Sequence, residues 1–251
     1  MYHYRGVRRN FVPAVVPVLF ASGALGLFAL LWRRRSAPRS HTRMTTSTPP
    51  SAVVADEPRV KGVDQQPVSD GAGEIYHRRY EVDLENSERP ATEIVRLMKR
   101  HLAELTPSIL AHFEKSNGSE DALRVGDEYE ITMLGPWNGA VRVAESTPTS
   151  FTFVTLEGHP EAGRITFSAA GGEGAPMRAQ IESWARARDA AVATAYGTLG
   201  VGKQIQTEAW ITFLQRLCTL AGVDGTPKVR VSDEVIPAKA LDDVGTVIPH
   251  G

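Results

Sequence analysis

His159 and Glu161 are the pair of side chains whose types and spacing suit acid–base chemistry. They lie two residues apart in a turn cluster, GHPEAG, between two β-rich runs. An imidazole titrates near neutral pH and a carboxylate accepts protons, so the pair could act as general acid and base at the mouth of a cavity. In the alternative interpretation, Glu161 caps backbone groups of a turn and His159 is solvated.

Two further side chains are candidates for contacting a ligand. Arg78 lies between two tyrosines on the inward face of a predicted strand, and a buried guanidinium needs a partner or a ligand. A shift of one residue in register would reverse that face. Trp184 lies on the strand face opposite Ile181 and is followed by two arginines, so it could bind an anionic group beside an aromatic surface. Alternatively, that face is exposed or covered by a neighbouring element.

Two aromatic residues complete the candidate ligand-binding set. Tyr129 lies on a strand where apolar and charged residues alternate, and Trp210 belongs to the apolar stripe of a long predicted helix. Such residues commonly form core. In a sheet packed on one helix, however, the core and the wall of a cavity are the same surface. The predicted ligand contacts are therefore Arg78, Tyr129, His159, Glu161, Trp184 and Trp210.

Metal and phosphate chemistry find little support in the sequence. Residues 197–204, GTLGVGKQ, approach the phosphate-binding loop pattern, but a glutamine replaces the Ser or Thr that would hold magnesium. His77, His101 and His112 show no metal-ligand spacing. Cys218 is the only cysteine, which excludes an intrachain disulfide. We predict neither a metal site nor a cofactor.

The charges are divided unevenly along the 251 residues. Residues 1–50 contain eight arginines and no acidic residue, which leaves 20 basic and 29 acidic residues for the remainder. Nucleic-acid binding favours clustered Lys and Arg on the folded part of a protein. The acidic remainder therefore argues against a nucleic-acid partner, and the oligomeric state stays open.

Residues 11–32 carry no charge and predict one transmembrane helix, preceded by a basic flank at residues 1–10. A helix of this length spans roughly 30 Å, the thickness of the hydrocarbon core. The alternatives are a cleaved secretory signal and a twin-arginine-like export signal around Arg8 and Arg9. Because more arginines follow the helix than precede it, the positive-inside rule favours a single-pass protein of the cell membrane with a cytoplasmic soluble domain.

Composition divides the rest of the chain into a tether, a domain and a tail. Residues 33–73 begin with basic residues, are rich in Pro, Ser and Thr, and predict a disordered tether. Residues 74–224 form the predicted domain, which is long enough for one core. Residues 225–251 predict a flexible tail, in which residues 229–231 could add a short strand.

The order of elements in the domain predicts an α+β architecture. After the first strand come a helix over residues 90–105 and a second short helix that begins at Thr106-Pro107 and ends at Phe113. A long helix over residues 203–221 closes the domain. Successive short strands followed by one long helix predict a curved antiparallel sheet wrapped on a C-terminal helix. The predicted strands cover residues 75–84, 128–134, 141–143, 151–156, 164–168 and 177–187.

Three runs of sequence carry a resemblance to a known superfamily: TLEGHPEAG at residues 155–163, GPWNG at 135–139 and IESWAR at 181–186. They resemble the helix-grip, or START-like, superfamily of polyketide cyclases and birch-pollen allergens, and within it an uncharacterised family of bacteria and plants. The resemblance covers about residues 75–223 and implies a cavity for a hydrophobic or amphipathic molecule. Relatives often carry Glu where this chain has Arg164, so one possible acidic site residue is missing.

Three functions are compatible with these features. In the first, a membrane-anchored helix-grip domain binds a hydrophobic or amphipathic small molecule, such as a lipid or a polyketide-like compound. In the second, the same fold is an enzyme that uses His159, Glu161 and Arg78 for cyclase-like or hydrolase-like chemistry. In the third, the domain is a structural or interaction module with a filled core. The superfamily includes binders, carriers and enzymes, so the resemblance implies no reaction.

Overall fold

In the computed structural model of this chain, the described residues include nine strands, which form one sheet. Numbered in chain order, the strands are β1 Arg39–Arg43, β2 Ala72–Leu84, β3 Ala111–Asn117, β4 Glu128–Met133, β5 Asn138–Ser146, β6 Ser150–Thr155, β7 Glu161–Gly172, β8 Ala175–Ala187 and β9 Val229–Ile236. The structure describes residues 39–43, 50–119, 122–133, 138–172, 175–199, 201–225 and 227–237.

The strand order across the sheet is β1-β9-β2-β8-β7-β6-β5-β4-β3. All neighbours pair antiparallel except β1, which runs parallel to β9. The described helices are α1 Pro50–Ala55, α2 Ala91–Arg100, α3 Leu102–Leu105, α4 Ala190–Leu199 and α5 Val201–Leu220, and a 3₁₀ turn covers Val68–Asp70. The two helices α2 and α3 follow β2, and the long helix α5 follows β8.

The predicted hairpin forms the centre of the sheet. Phe151 pairs with Phe167 across β6 and β7, and their rings stack with centroids 4.7 Å apart. Helix α5 packs on the same face, where Trp210 and Phe213 lie edge-on or tilted against Phe167 at 5.5 Å and 5.4 Å. Alternation along the strands places large apolar side chains on this inner face, so sheet and helix share one core.

This architecture confirms the α+β helix-grip fold that the sequence predicts: a large antiparallel sheet packed on a long C-terminal helix. The predicted transmembrane helix at residues 11–32 lies outside the described residues. Within the part of the chain that the structure describes, no helix combines the length and the apolar character needed to cross a membrane.

The predicted short helix ending at Phe113 is wrong. The two helices between β2 and β3, α2 and α3, both end before Thr106. Pro107 starts only a single turn, in which its carbonyl accepts from the N–H groups of Leu110 and Ala111. Residues 111–117 instead form β3, and Phe113 pairs with Ile131 of β4. Pairing with β4 buries the Phe113 ring against Phe153, so tertiary packing overrides the local helix signal.

The prediction of a disordered tether over residues 33–73 does not hold where the structure describes them. Residues 39–43 form β1, which pairs with β9, and the second half is folded as well. Residues 50–71 fold against the outer face of the sheet and the hairpin tip, and we call this segment the strap. Val53 and Val68 are buried in a small cluster with Ile75, Trp184 and Ile236. These apolar side chains are far apart in the sequence and pack together on the same surface of the sheet. Local composition cannot indicate such packing.

The predicted flexible tail also contains regular structure. Residues 229–236 form β9, and most of this strand pairs with β2. In the sheet, β9 lies between β1 and β2. Val229 and Val231 face the core and are buried. The expected short strand at residues 229–231 is therefore confirmed, but the observed strand continues to Ile236. It is longer because the edge of β2 offers unpaired backbone groups that the additional residues of β9 satisfy.

Candidate functional site

A cavity of about 60 Å³ lies between the inner face of the sheet and α5. Most of its wall is apolar and aromatic. Its polar wall groups come from β6, β7, β8, α5 and the β6–β7 turn. The side chains that matter most for its chemistry are Phe113, Phe153, Phe167, His159, Glu161, Gln206 and Trp210.

A chain of polar side chains forms one end of this cavity. Gln206 of α5 accepts a hydrogen bond from the guanidinium of Arg78, and its amide N–H donates to Glu161 Oε2 at 2.9 Å. Arg78 is buried and lies over the ring of Tyr76, 5.2 Å from its centroid. The inward direction predicted for Arg78 is confirmed, and a glutamine that the sequence analysis did not single out connects it to Glu161.

A second, smaller cavity of about 20 Å³ lies on the other side of these polar groups. Arg78 and Glu161 line it together with Tyr76, Ala187 of β8 and Ala193 of α4. Glu161 lines both cavities. The Arg78–Gln206–Glu161 chain thus stands between the inner cavity and the end of the sheet where β2 begins and β8 ends.

His159 is buried, not solvated as the turn interpretation supposed. Its Nδ1 lies 3.0 Å from both the backbone N and the backbone O of Glu161, so the tautomer decides which of the two it bonds. Burial lowers the pKa of His159 from 6.5 to about 4, and the nearby Arg188 charge acts in the same direction. The imidazole is therefore neutral at pH 7, and it makes a poor general acid there.

The position of His159 depends on a glycine and on the strap. A Cβ added to Gly139 of β5 would lie 2.1 Å from His159 Cδ2, so the ring occupies space that a side chain at residue 139 would need. The side-chain amide of Gln66 donates to the carbonyls of His159 and Glu161, each at 2.8 Å. Its oxygen accepts from the N–H of Gly158 at 3.2 Å. The hairpin tip is therefore held by the strap and does not hang free.

Trp210 forms part of the cavity wall, as the sequence predicted for its helix face. Its side chain is buried, and Trp210 lies edge-on to the rings of Phe167 and Phe213. The indole Nε1 is buried and has no hydrogen-bond partner among the described residues. A buried donor without an acceptor is uncommon, because its desolvation is not compensated.

The other two predicted ligand residues lie away from the cavity. Tyr129 is buried in the core beside Phe153, and Lys115 lies 5.2 Å from its ring centroid. Trp184 faces the opposite side of the sheet, where it stacks on His77 with centroids 3.5 Å apart. The structure thus places three of the six candidates, His159, Glu161 and Trp210, at the inner cavity, and it places Arg78 at the second cavity, which Glu161 also lines.

Gln206 and Gln66 are the site residues that sequence reasoning missed. Gln206 lies four residues before Trp210, so helical spacing places both on one face and could have indicated it. Gln66 lies in the strap, and no pattern in the sequence points to its contacts with the hairpin tip.

Arg164 lies where the resemblance implies a glutamate. It is among the residues that line the inner cavity, but its guanidinium binds the strap on the outer face of the sheet. Its guanidinium donates to the carbonyl of Val53 at 2.8 Å and to Asp56 at 3.2 Å. The residue therefore attaches helix α1 of the strap to the outer face of β7. In this chain, the charged end of the residue therefore binds the strap.

Several solved structures show what this chain is similar to. Protein Ms6760 from Mycobacterium smegmatis is 19% identical, with 63% of this chain and 96% of that chain covered and a TM-score of 0.36. Ara h 8.0201 is 13% identical, with 55% and 97% covered and a TM-score of 0.33. Norcoclaurine synthase from Thalictrum flavum is 11% identical, with 70% and 99% covered and a TM-score of 0.39.

The solved structures similar to this chain are START-like helix-grip proteins, and this chain itself has an α+β helix-grip architecture, a large antiparallel sheet packed on a long C-terminal helix. One structure of the Thalictrum flavum enzyme is a complex with dopamine and hydroxybenzaldehyde. At these identities and TM-scores, neither ligands nor activities transfer from one chain to the other. No family model and no curated protein matches the sequence.

Proposed function

We propose that this chain binds a hydrophobic or amphipathic small molecule between the sheet and α5. The observation that carries the proposal is the division of the inner cavity into an apolar wall and one polar end. Phe153, Phe167 and Trp210 supply the apolar wall, and Glu161 and Gln206 supply the polar end. A pocket with an apolar body and a few convergent polar groups suits a ligand that has the same division.

The size of the cavity limits how such a ligand fits. At about 60 Å³, it is smaller than the roughly 150 Å³ that accommodates benzene and far below the roughly 300–1,000 Å³ of drug-sized pockets. A ligand therefore widens the cavity or inserts only its apolar end. The shared lining of Glu161 supports an approach from the second cavity, past the Arg78–Gln206–Glu161 chain.

Membrane anchoring through residues 11–32 forms part of the proposal and rests on the sequence. A tethered domain would meet membrane-soluble ligands at a raised local concentration. We expect the full chain to stay in the membrane pellet after alkaline carbonate extraction, and a variant lacking residues 11–32 to appear in the supernatant. Release of the full chain by carbonate would refute the anchor. Protease protection in intact cells then tests the expected cytoplasmic side.

Native mass spectrometry of the full chain, purified from cells in a mild detergent, tests the binding function. We expect adducts of low-polarity compounds on the wild type and their loss in Ala185→Leu, because Ala185 lines the cavity and the larger side chain fills it. Ala170 is an exposed residue of β7, so Ala170→Leu is the matched control and should keep the adducts. Bare protein in every sample, with added apolar compounds failing to bind, would refute the proposal.

A further inference from the structure

The indole N–H of Trp210, a residue that lines the inner cavity, is a buried donor whose hydrogen-bonding capacity stays unused among the described residues. Its side chain is only 7% exposed, and its indole N–H has no acceptor among the described residues. The neighbouring rings of Phe167 and Phe213 offer at most weak π acceptance. A hydrogen-bond donor without an acceptor favours the binding of a molecule that has an acceptor oxygen.

Several polar groups at or beside the cavity already have partners. Gln206 accepts from Arg78 and donates to Glu161, and the Nδ1 atom of His159 bonds the backbone of Glu161. On the same helix, Thr207 pairs its hydroxyl with that of Tyr80 at 3.4 Å. Trp210 differs from these groups, because a ligand can satisfy its N–H without breaking an existing hydrogen bond.

We infer that the ligand is an uncharged apolar molecule with a carbonyl, ether or hydroxyl oxygen that accepts from the indole N–H of Trp210. This inference rests on the proposed binding function and specifies its ligand class. A hydrocarbon of the same shape leaves the N–H without an acceptor, and any water that serves it would be displaced. A carboxylate is disfavoured, because its charge would be desolvated in an aromatic cavity that already contains the Glu161 carboxylate.

Two ring compounds of nearly the same shape test this inference: cyclopentanone, with a carbonyl oxygen, and methylenecyclopentane, with a CH₂ group in its place. Their affinities for the full ¹⁵N-labelled chain are measured by NMR titration for the wild type and for Trp210→Phe. The ratio of the two affinities is compared between the proteins, so partition of each ligand into detergent cancels. A hydrogen bond between neutral groups changes an affinity, and hence this ratio, roughly two- to tenfold.

We expect the preference for the ketone to fall roughly two- to tenfold in Trp210→Phe. Trp184→Phe is the matched control, since that indole is equally buried on the outer face, and it should leave the ratio unchanged. In the wild type, the Trp210 indole proton signal should move downfield with the ketone and not with the hydrocarbon, which tests the contact even where the variant folds poorly.

Two outcomes would overturn the inference and are distinguishable. If both compounds bind and their affinity ratio is the same in the wild type and Trp210→Phe, with no downfield shift, the ligand-class inference fails while the binding function stands. If neither compound changes the NMR spectrum of the wild type at the highest concentration that dissolves, the binding function fails as well.

Discussion

The imidazole of His77 lies flat on the indole of Trp184, with ring centroids 3.5 Å apart and an interplanar angle of 9°. The two residues are directly opposite each other on β2 and β8, on the outer face of the sheet. The Nε2 atom of His77 is 2.6 Å from Glu182 Oε1, and the strap covers the indole. This pair makes the outer face a second packed layer, separate from the cavity.

Trp184→Ala should therefore destabilise the protein without changing the cavity. Truncation of a buried Trp costs about 3–5 kcal/mol of unfolding free energy, and the strap loses the surface on which it packs. We expect a large shift in denaturant unfolding and new protease cleavage within residues 50–71. Trp184→Phe, which retains a ring beside His77, should lose clearly less. Equal losses in the two variants would show that a ring beside His77 does not contribute to stability.

Gln66→Ala should loosen the hairpin tip. The variant removes three side-chain hydrogen bonds to the backbone of residues 158–161 and leaves buried groups without partners, which costs about 1–3 kcal/mol. We expect faster amide hydrogen exchange at the tip. Gln65→Ala is the control, because that side chain bonds only Pro58 and Val60 within the strap. Similar exchange at the tip in both variants would contradict the role of Gln66.

Gly139→Ala should clash with His159. The added Cβ would lie 2.1 Å from Cδ2 and 2.8 Å from Cγ of the ring, and overpacking of this kind costs about 1–3 kcal/mol. In a His159→Ala background, the ring is absent and the same change should cost little. Denaturant unfolding of the four proteins in this cycle measures the coupling. Additive losses would mean that His159 does not set the requirement for glycine at residue 139.

The stability of the protein should depend on pH through His159. Its pKa falls from 6.5 in the unfolded chain to about 4 in the folded one, so the unfolded state binds the proton more tightly. The contribution of a neutral His159 to the unfolding free energy is therefore fully present above pH 6.5. It falls by about 3 kcal/mol as the pH is lowered to 4.

Comparison with His159→Asn isolates this dependence, because the asparagine does not titrate and other groups cancel in the difference. We expect the unfolding free energy of the wild type relative to the variant to decrease between pH 6.5 and 4. A difference that stays constant over this range would show that His159 keeps an ordinary pKa.

The central hairpin and the long helix were predictable because their patterns are local. Alternation along residues 151–156 and 164–168 indicates two strands with one buried face, and the spacing of Trp210 and Phe213 indicates the buried face of a helix. Residues 107–113 show the limit of such signals. A proline after a threonine is typical of a helix start, but the strand pairing of Phe113 with Ile131 decides the outcome.

The candidate site was predictable only in part, for a related reason. Helix and strand periodicity indicated that Arg78 and Trp210 point inward, and the structure places Trp210 at the inner cavity and Arg78 at the second cavity. Trp184 was assigned to a ligand because a sequence pattern shows that two faces of a strand differ, but not what covers each face. The strap that covers Trp184 comes from residues 50–71, more than a hundred positions away.

The sequence by itself determined the α+β class, the inner face of the sheet and the residue types available for a site, because periodicity is a property of neighbouring residues. Only the tertiary structure decided that Gln206 joins Arg78 to Glu161, that Gln66 closes over the hairpin tip, and that His159 is buried and neutral. Such contacts join residues far apart in the chain. Burial, hydrogen-bond partners and pKa values depend on those contacts and not on local pattern.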